Sequence, residues 1–178
     1  RKKGFAEVLE KYPDMKIILS ESGIGWIPYF LERADFSHSR HKAWTHSNFN
    51  GKKPSEVFRK HFMTCFIDDA FGLRNLEAVG EDMVAYECDY PHSDALWPEV
   101  PEFLWKSVQG LTDAQIDKIT HQNAARMLRH DLFKTYRREE LTVGALRARA
   151  AADGVDTTPI STGCAAPLAE GEVKRRIT

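Results

Sequence analysis

Short apolar runs alternate with helix-patterned segments along most of the chain. Phe5, Val8, Leu9 and Tyr12 recur at i, i+3, i+4 and i+7, the spacing of one helix face, and Pro13 stops that helix. Residues 15–19 then form a nearly continuous apolar run, short and rich in branched side chains, as suits a strand buried on both faces of a parallel sheet. It ends in the loop Ser20-Glu21-Ser22-Gly23, and Pro28 suits the first turn of a helix through Tyr29, Phe30 and Leu31. The cycle repeats with a second strand over residues 62–67, ended by Asp68-Asp69, and a helix from about Gly72 to Val79 closed by Gly80. A third strand over residues 83–88 ends in Asp89-Tyr90-Pro91-His92. Two helices follow it. One covers about residues 102–109. The other opens on the capping box Thr112-Asp113-Ala114-Gln115 and buries Ile116, Ile119, Ala124 and Met127.

Strands alternating with helices predict an α/β fold with a parallel sheet. Three strands are too few to close a barrel, which needs about 250 residues, so the pattern reads as a small open sheet or as a piece of a barrel. Two segments stand outside the alternation. Residues 35–53 are polar and carry His38, His41, Trp44, His46 and Phe49, which predicts a lid or active-site loop. From Gly154 onward Gly, Pro, Ser, Thr and Ala dominate, which predicts a flexible, partly disordered tail behind one Ala/Arg-rich helix over residues 140–152.

Composition narrows the classes. Hydrophobic residues make up 42% and charged residues 29%, the balance of a globular chain. A net charge of −1 argues against a broad nucleic-acid surface. No apolar run approaches the roughly 20 residues that span a bilayer, so no membrane partner is expected. The three cysteines, Cys65, Cys88 and Cys164, form neither a disulfide framework nor a zinc ribbon, and a reducing cytoplasm is the simplest compartment. The basic start Arg1-Lys2-Lys3 has no signal-peptide run behind it and does not read as a natural N-terminus.

The chemistry gathers at the strand ends. Glu21 follows the first strand, Asp68 and Asp69 the second, and Asp89 the third. In a parallel sheet all these ends lie on one edge, where ligand sites form. Asp68 and Asp69 read equally well as caps of the next helix. The most specific segment is Glu87-Cys88-Asp89-Tyr90-Pro91-His92-Ser93-Asp94, in which a carboxylate leaves the strand and a His follows three positions later. Asp is a hard oxygen ligand and a proton acceptor, and His can orient substrate or share the proton. His38, His41 and His46 lack compact metal spacing and read as surface residues. His61, at the start of the second strand on the face away from the site, reads as structural. His121 and Asn123 read as anchors of the last helix, and Trp44, Trp97 and Trp105 as packing residues, with Trp97 close enough to the motif to border a pocket.

Three segments carry a resemblance. Ile17-Ile18-Leu19-Ser20-Glu21-Ser22-Gly23-Ile24-Gly25-Trp26-Ile27-Pro28 resembles the sixth barrel strand and loop of the amidohydrolase-related decarboxylases and hydrolases. That family includes the aminocarboxymuconate-semialdehyde and dihydroxybenzoate decarboxylases. Glu87-Cys88-Asp89-Tyr90-Pro91-His92 resembles its eighth-strand motif, and Lys118-Ile119-Thr120-His121-Gln122-Asn123-Ala124-Ala125-Arg126 its terminal Asn-Ala helix. Their order and spacing fit over most of residues 5–133.

The resemblance implies strands six to eight of a TIM-like (β/α)8 metal-dependent hydrolase barrel over residues 1–138, with a C-terminal helix and tail over 139–178. It implies Asp89 as a metal ligand and acid/base, with His92 and Glu21 as further catalytic residues. The cofactor would be a divalent ion, Zn2+ or Mn2+. The first-strand His-x-His or Glu-x-His pair and the metal-binding fifth-strand His would be supplied upstream, by the N-terminal half of the barrel. The substrate would be a small aromatic or unsaturated acid, amide or ester, cleaved by hydrolysis or decarboxylation, and the full-length enzyme a homo-oligomer. Glu21 stands where many of the decarboxylases carry His. It would accept a proton, bind a polar substrate group or pair with an Arg. The rival readings are a non-catalytic binding or assembly module and an inactive piece of a split gene.

Overall fold

The computed structural model describes residues 5–97 and 99–155. The tail expected beyond Val155, with Cys164, lies outside the described residues.

Helix α1 (Phe5–Lys11) leads into strand β1 (Ile17–Leu19). Helices α2 (Ile27–Thr45) and α3 (Pro54–His61) connect it to β2 (Phe62–Phe66). Helices α4 (Ala70–Arg74) and α5 (Leu76–Val79) and a 3-10 turn (Glu81–Met83) lead to β3 (Val84–Tyr86). Then come α6 (Val100–Ser107), α7 (Asp113–Asp117), a π turn (Lys118–Gln122), α8 (Asn123–Leu128), a second 3-10 turn (Arg138–Leu141) and α9 (Val143–Ala152). The strands form one parallel sheet in the order β1-β2-β3, with Leu19 beside Thr64 and Cys65 beside Ala85. The α/β reading with a three-stranded parallel sheet therefore holds.

Strand alternation splits the packing in two. Leu19, Phe62, Phe66, Val84 and Tyr86 face the main core, with Ile24, Ile27 and Leu31 from the β1–α2 region, Leu73, Leu76 and Val79 from α4 and α5, and Val108 and Ile119 beyond. Met63, Cys65 and Ala85 face the other way, against Ala124 and Met127 of α8. Ile18, adjacent to Met63 in the register, is 42% exposed. The Tyr86 hydroxyl is buried without a hydrogen-bond partner among the described residues, and burial, with Cys88 and Asp68 nearby, pushes its pKa to about 12.

Asn123, 1% exposed, donates through Nδ2 to the carbonyls of Glu81 (2.7 Å) and Val84 (2.8 Å), and its Oδ1 accepts from Arg126 (2.9 Å). A buried amide so fully bonded fixes α8 to the start of β3, the anchoring read from the sequence. His121 is turned elsewhere, beside Thr120 and Phe133. The Thr112 capping box forms, with Gln115 N–H donating to Thr112 Oγ1.

Four expectations need correction. Most of residues 35–53 are not a loop, because α2 continues to Thr45 and stops where His46 turns left-handed (φ 54°). Asp35 accepts from Ser55 N–H (2.9 Å) and Ser55 Oγ (2.6 Å), so it moors α3 against α2. His61 ends α3 rather than beginning β2; it is buried and bonded through Nδ1 to the Met15 carbonyl at 2.8 Å. The helix expected over 72–79 is broken at Asn75 into α4 and α5. The one expected over 140–152 is interrupted at Thr142, whose hydroxyl caps α9.

Candidate metal centre at the strand ends

The ends of β1 and β3 carry the chemistry. Beyond Leu19 the chain turns at Glu21, and beyond Tyr86 it turns at Asp89. Both acids sit in left-handed backbone, Glu21 at φ 54° and Asp89 at φ 55°. That conformation costs a non-glycine residue about 1–3 kcal/mol and persists only where neighbours over-determine it. The Asp89 turn closes with His92 N–H donating to the Asp89 carbonyl at 2.8 Å. The Asp-x-x-His spacing then folds the ring back, and His92 Nδ1 lies 2.6 Å from Asp89 Oδ1.

Glu21, Asp89 and His92 meet here, each offering one ligand atom within 4.8 Å of the others. The Asp89 side chain is 7% exposed and the His92 side chain 68%, so the carboxylate lies at the floor and the ring at the rim. His92 Nδ1 lies 3.9 Å from Glu21 Oε1. The hydrogen bond to Asp89, then its charge and the charges of Glu21 and Asp94, raise the His92 pKa above its ordinary value, outweighing desolvation. Among the described residues Glu21 pairs with no Arg; its N–H donates to Glu87 and its carboxylate lies beside His92.

The other strand-end acids do not join the cluster. Asp69 Oδ2 accepts from Ile24 N–H and Gly25 N–H, both at 2.7 Å, and Oδ1 accepts from Gly72 N–H at 2.7 Å. It is a cap and a loop staple. Burial pushes its pKa up, but the three backbone bonds together hold it below the ordinary value of 3.8. Asp68 lies 3.4 Å from Ser107 Oγ. Trp97 packs on Tyr90, ring centroids 5.1 Å apart.

Glu87, just beyond β3, joins the site without having stood out in the sequence. Its carboxylate accepts from the Ser20 hydroxyl at 2.6 Å and from Glu21 N–H. The signal was present, since residues 85 and 87 alternate onto the same face as Cys65, but which strand end Glu87 reaches depends on the register.

A cavity of about 1230 Å³ lies elsewhere, among α1, α2 and α3, lined by Leu9, His38, Trp44, Phe49 and Phe58. It touches none of the three clustered residues. His38 pairs with Ser47 (3.0 Å) and Trp44 donates to His41 (3.1 Å), and both histidines stand on α2 rather than on a surface loop.

The donor set fits a divalent cation. Two carboxylates and an imidazole are the ligands of hard to borderline metals, and three donors leave positions for further ligands and for substrate. Among the described residues no helix is long and apolar enough to cross a membrane.

The sequence model described as amidohydrolase matches residues 5–130. A search of curated proteins by sequence gave no match. Among solved structures, the chain is similar to 5-carboxyvanillate decarboxylase from Sphingomonas paucimobilis, with 24% identity and a TM-score of 0.59 over 71% of this chain and 37% of that one. An amidohydrolase from Mycobacterium avium subsp. paratuberculosis gives 21% and 0.56 over 68% and 30%. A 5-carboxyvanillate decarboxylase from Novosphingobium aromaticivorans, solved with manganese and 3-methoxy-4-hydroxy-5-nitrobenzoic acid, gives 18% and 0.54 over 68% and 35%. These likenesses show a shared fold, and this chain spans about a third of the length of each structure.

Proposed function

Because this chain belongs to the amidohydrolase family over residues 5–130, we propose that it carries the strand-six-to-eight side of a metal-dependent (β/α)8 active site, with Asp89 as metal ligand and acid/base. The observation that carries this reading is the convergence of Glu21, Asp89 and His92 within 4.8 Å at the ends of parallel strands. The remaining ligands would come from barrel strands outside this chain. The manganese in the Novosphingobium structure supports a divalent ion of the Mn2+ or Zn2+ type. When bound, such an ion polarises a substrate oxygen and makes water easier to deprotonate.

The chain's own residues handle the protons. Asp89, held at the floor, takes a proton from the reacting water or returns one to the product carbon. The His92 ring, hydrogen-bonded to Asp89 Oδ1, holds that carboxylate in place and passes the proton to the solvent side. The Glu21 carboxylate, at the opposite lip, would add a further ligand to the ion and receive a polar group of the substrate. The substrate class is a small aromatic or unsaturated acid, amide or ester, and the reaction is hydrolysis of a C–N or C–O bond or release of CO2.

The test is full-length protein loaded with Mn2+ or Zn2+, assayed on hydroxybenzoates by CO2 release and on aryl esters and anilides by absorbance. Asp89→Asn should lose bound metal and turnover, with loss of the general base alone costing about 10²–10⁴-fold. His92→Asn should be milder and keep its metal. Near-normal turnover in Asp89→Asn beside a dead His92→Asn would sink the assignment.

A further inference from the structure

We propose that Glu87 is a positioning residue of this centre: by holding the Ser20–Glu21 turn, its carboxylate sets where the Glu21 side chain stands. The inference rests on the reading above of the Glu21–Asp89–His92 cluster as a cation site in which the Asp89 and Glu21 carboxylates hold the ion and His92 braces Asp89. Strands β1 and β3 are not neighbours, because β2 lies between them. No ladder hydrogen bond therefore fixes the distance between the turn at Glu21 and the turn at Asp89, and Glu87 spans that gap. Its N–H donates to the Phe66 carbonyl at 3.0 Å, extending the β2–β3 ladder by one residue and anchoring its backbone. Its side chain reaches past β2 to the turn after β1, where one oxygen accepts the Ser20 hydroxyl and the other accepts Glu21 N–H.

Cys65 of β2 lies beneath this bridge. Burial, then the charge of Glu87 and a hydrogen bond to it, push the thiol up to about 11, so it stays protonated beside that carboxylate. Two donors from the turn after β1 thus converge on one anion, with a neutral thiol of β2 beside it. The amide that Glu87 holds belongs to Glu21 itself, in the left-handed conformation that needs outside support. Without that support the turn can relax toward ordinary backbone, and the Glu21 carboxylate moves off the position 3.9 Å from His92.

The substitutions separate geometry from charge. Glu87→Met keeps the length but removes both acceptors. Glu87→Gln keeps one acceptor for Glu21 N–H, and the Ser20 hydroxyl can turn to accept from the new amide. Mn2+ is titrated into the full-length protein and free ion followed by electron paramagnetic resonance. Removing a residue that orients a ligand typically weakens metal binding about 10–100-fold, and Glu87→Met should fall in that range. Glu87→Gln should keep most of the affinity. The double variant Glu21→Gln/Glu87→Met should bind no worse than Glu21→Gln, because Glu87 acts only through Glu21. Unchanged affinity in Glu87→Met, an equal loss in Glu87→Gln, or additive losses in the double variant would overturn the proposal. Asp89→Asn separates the two readings. If it too binds Mn2+ normally, the centre itself is misassigned; if it alone loses Mn2+, only the positioning role fails. Should Glu87→Met not fold, Ser20→Ala decides, with weaker Mn2+ binding in support and unchanged binding against.

Discussion

Glu21 and Asp69 leave adjacent strands as acids of similar chemistry, and their surroundings give them different tasks. Asp69 is consumed by three amide donors, two from the loop after β1 and one from the first turn of α4, while Glu21 keeps its carboxylate for the cluster with Asp89 and His92. Asp69→Asn should cost about 2 kcal/mol near neutral pH, since the amide group turns a donor toward backbone N–H groups. The sign of its pH dependence follows from the lowered pKa. A carboxyl held below 3.8 when folded contributes stability above that value and loses it as pH falls through the folded pKa. The gap between wild-type and Asp69→Asn melting temperatures should be full at pH 6 and narrow below 3.8. A gap that stays constant to the acid limit would contradict this account. From the sequence, Asp69 read equally as cap or rim acid, because residue type and spacing suit both and only the direction of the side chain decides.

At the scale of elements, helix α4 shows how tightly the strand-end loops are packed. A Cβ on Gly72 would lie 2.3 Å from Ile24 Cγ1 and 2.9 Å from the Gly25 nitrogen, both on the loop after Glu21. Gly144, in α9, has open space around it. Gly72→Ala should therefore cost about 1–3 kcal/mol through overpacking, whereas Gly144→Ala should be neutral or gain up to about 1 kcal/mol. Equal melting temperatures for the two variants would show that the α4 contact yields freely. The reach of α2 was the main element-level surprise. Its second half reads as a polar, His-rich loop, yet Ala34 and His38 turn inward at helical spacing and Asp35 ties the helix to α3. The helix is secured by partners from later in the chain, which a local window does not contain.

At the scale of the whole molecule the sheet is open. Among the described residues β1 and β3 each pair only with β2, so each presents an unpaired edge. Tyr12, Met15 and Ile18, on and before β1, are exposed. Unpaired edges beside apolar side chains invite association. The 178-residue polypeptide expressed by itself should therefore run as oligomers in sedimentation velocity and exchange its edge-strand amides quickly. A monodisperse monomer with one cooperative melt would show that the three-stranded sheet is self-sufficient.

What the sequence determined by itself was whatever depends on local order. Apolar runs set off by Ser20-Glu21-Ser22-Gly23, Asp68-Asp69 and Asp89-Tyr90-Pro91-His92 mark three strands, because burial on both faces demands continuous apolar residues and the chain must turn where they stop. The Asp89–His92 contact was legible too, since three residues across one turn bring the two side chains together. Tertiary structure decided the rest. Glu21 meets His92 only because β1 and β3 flank β2 in parallel, and Glu87 meets Glu21 only because the register brings them within about one residue of the same height. Asp69 leaves the cluster because amides of the β1–α2 loop and of α4 claim it first. Each of these is a contact between residues tens of positions apart, fixed by packing against β2 and the core, and no stretch of sequence contains both partners with the strand that spaces them.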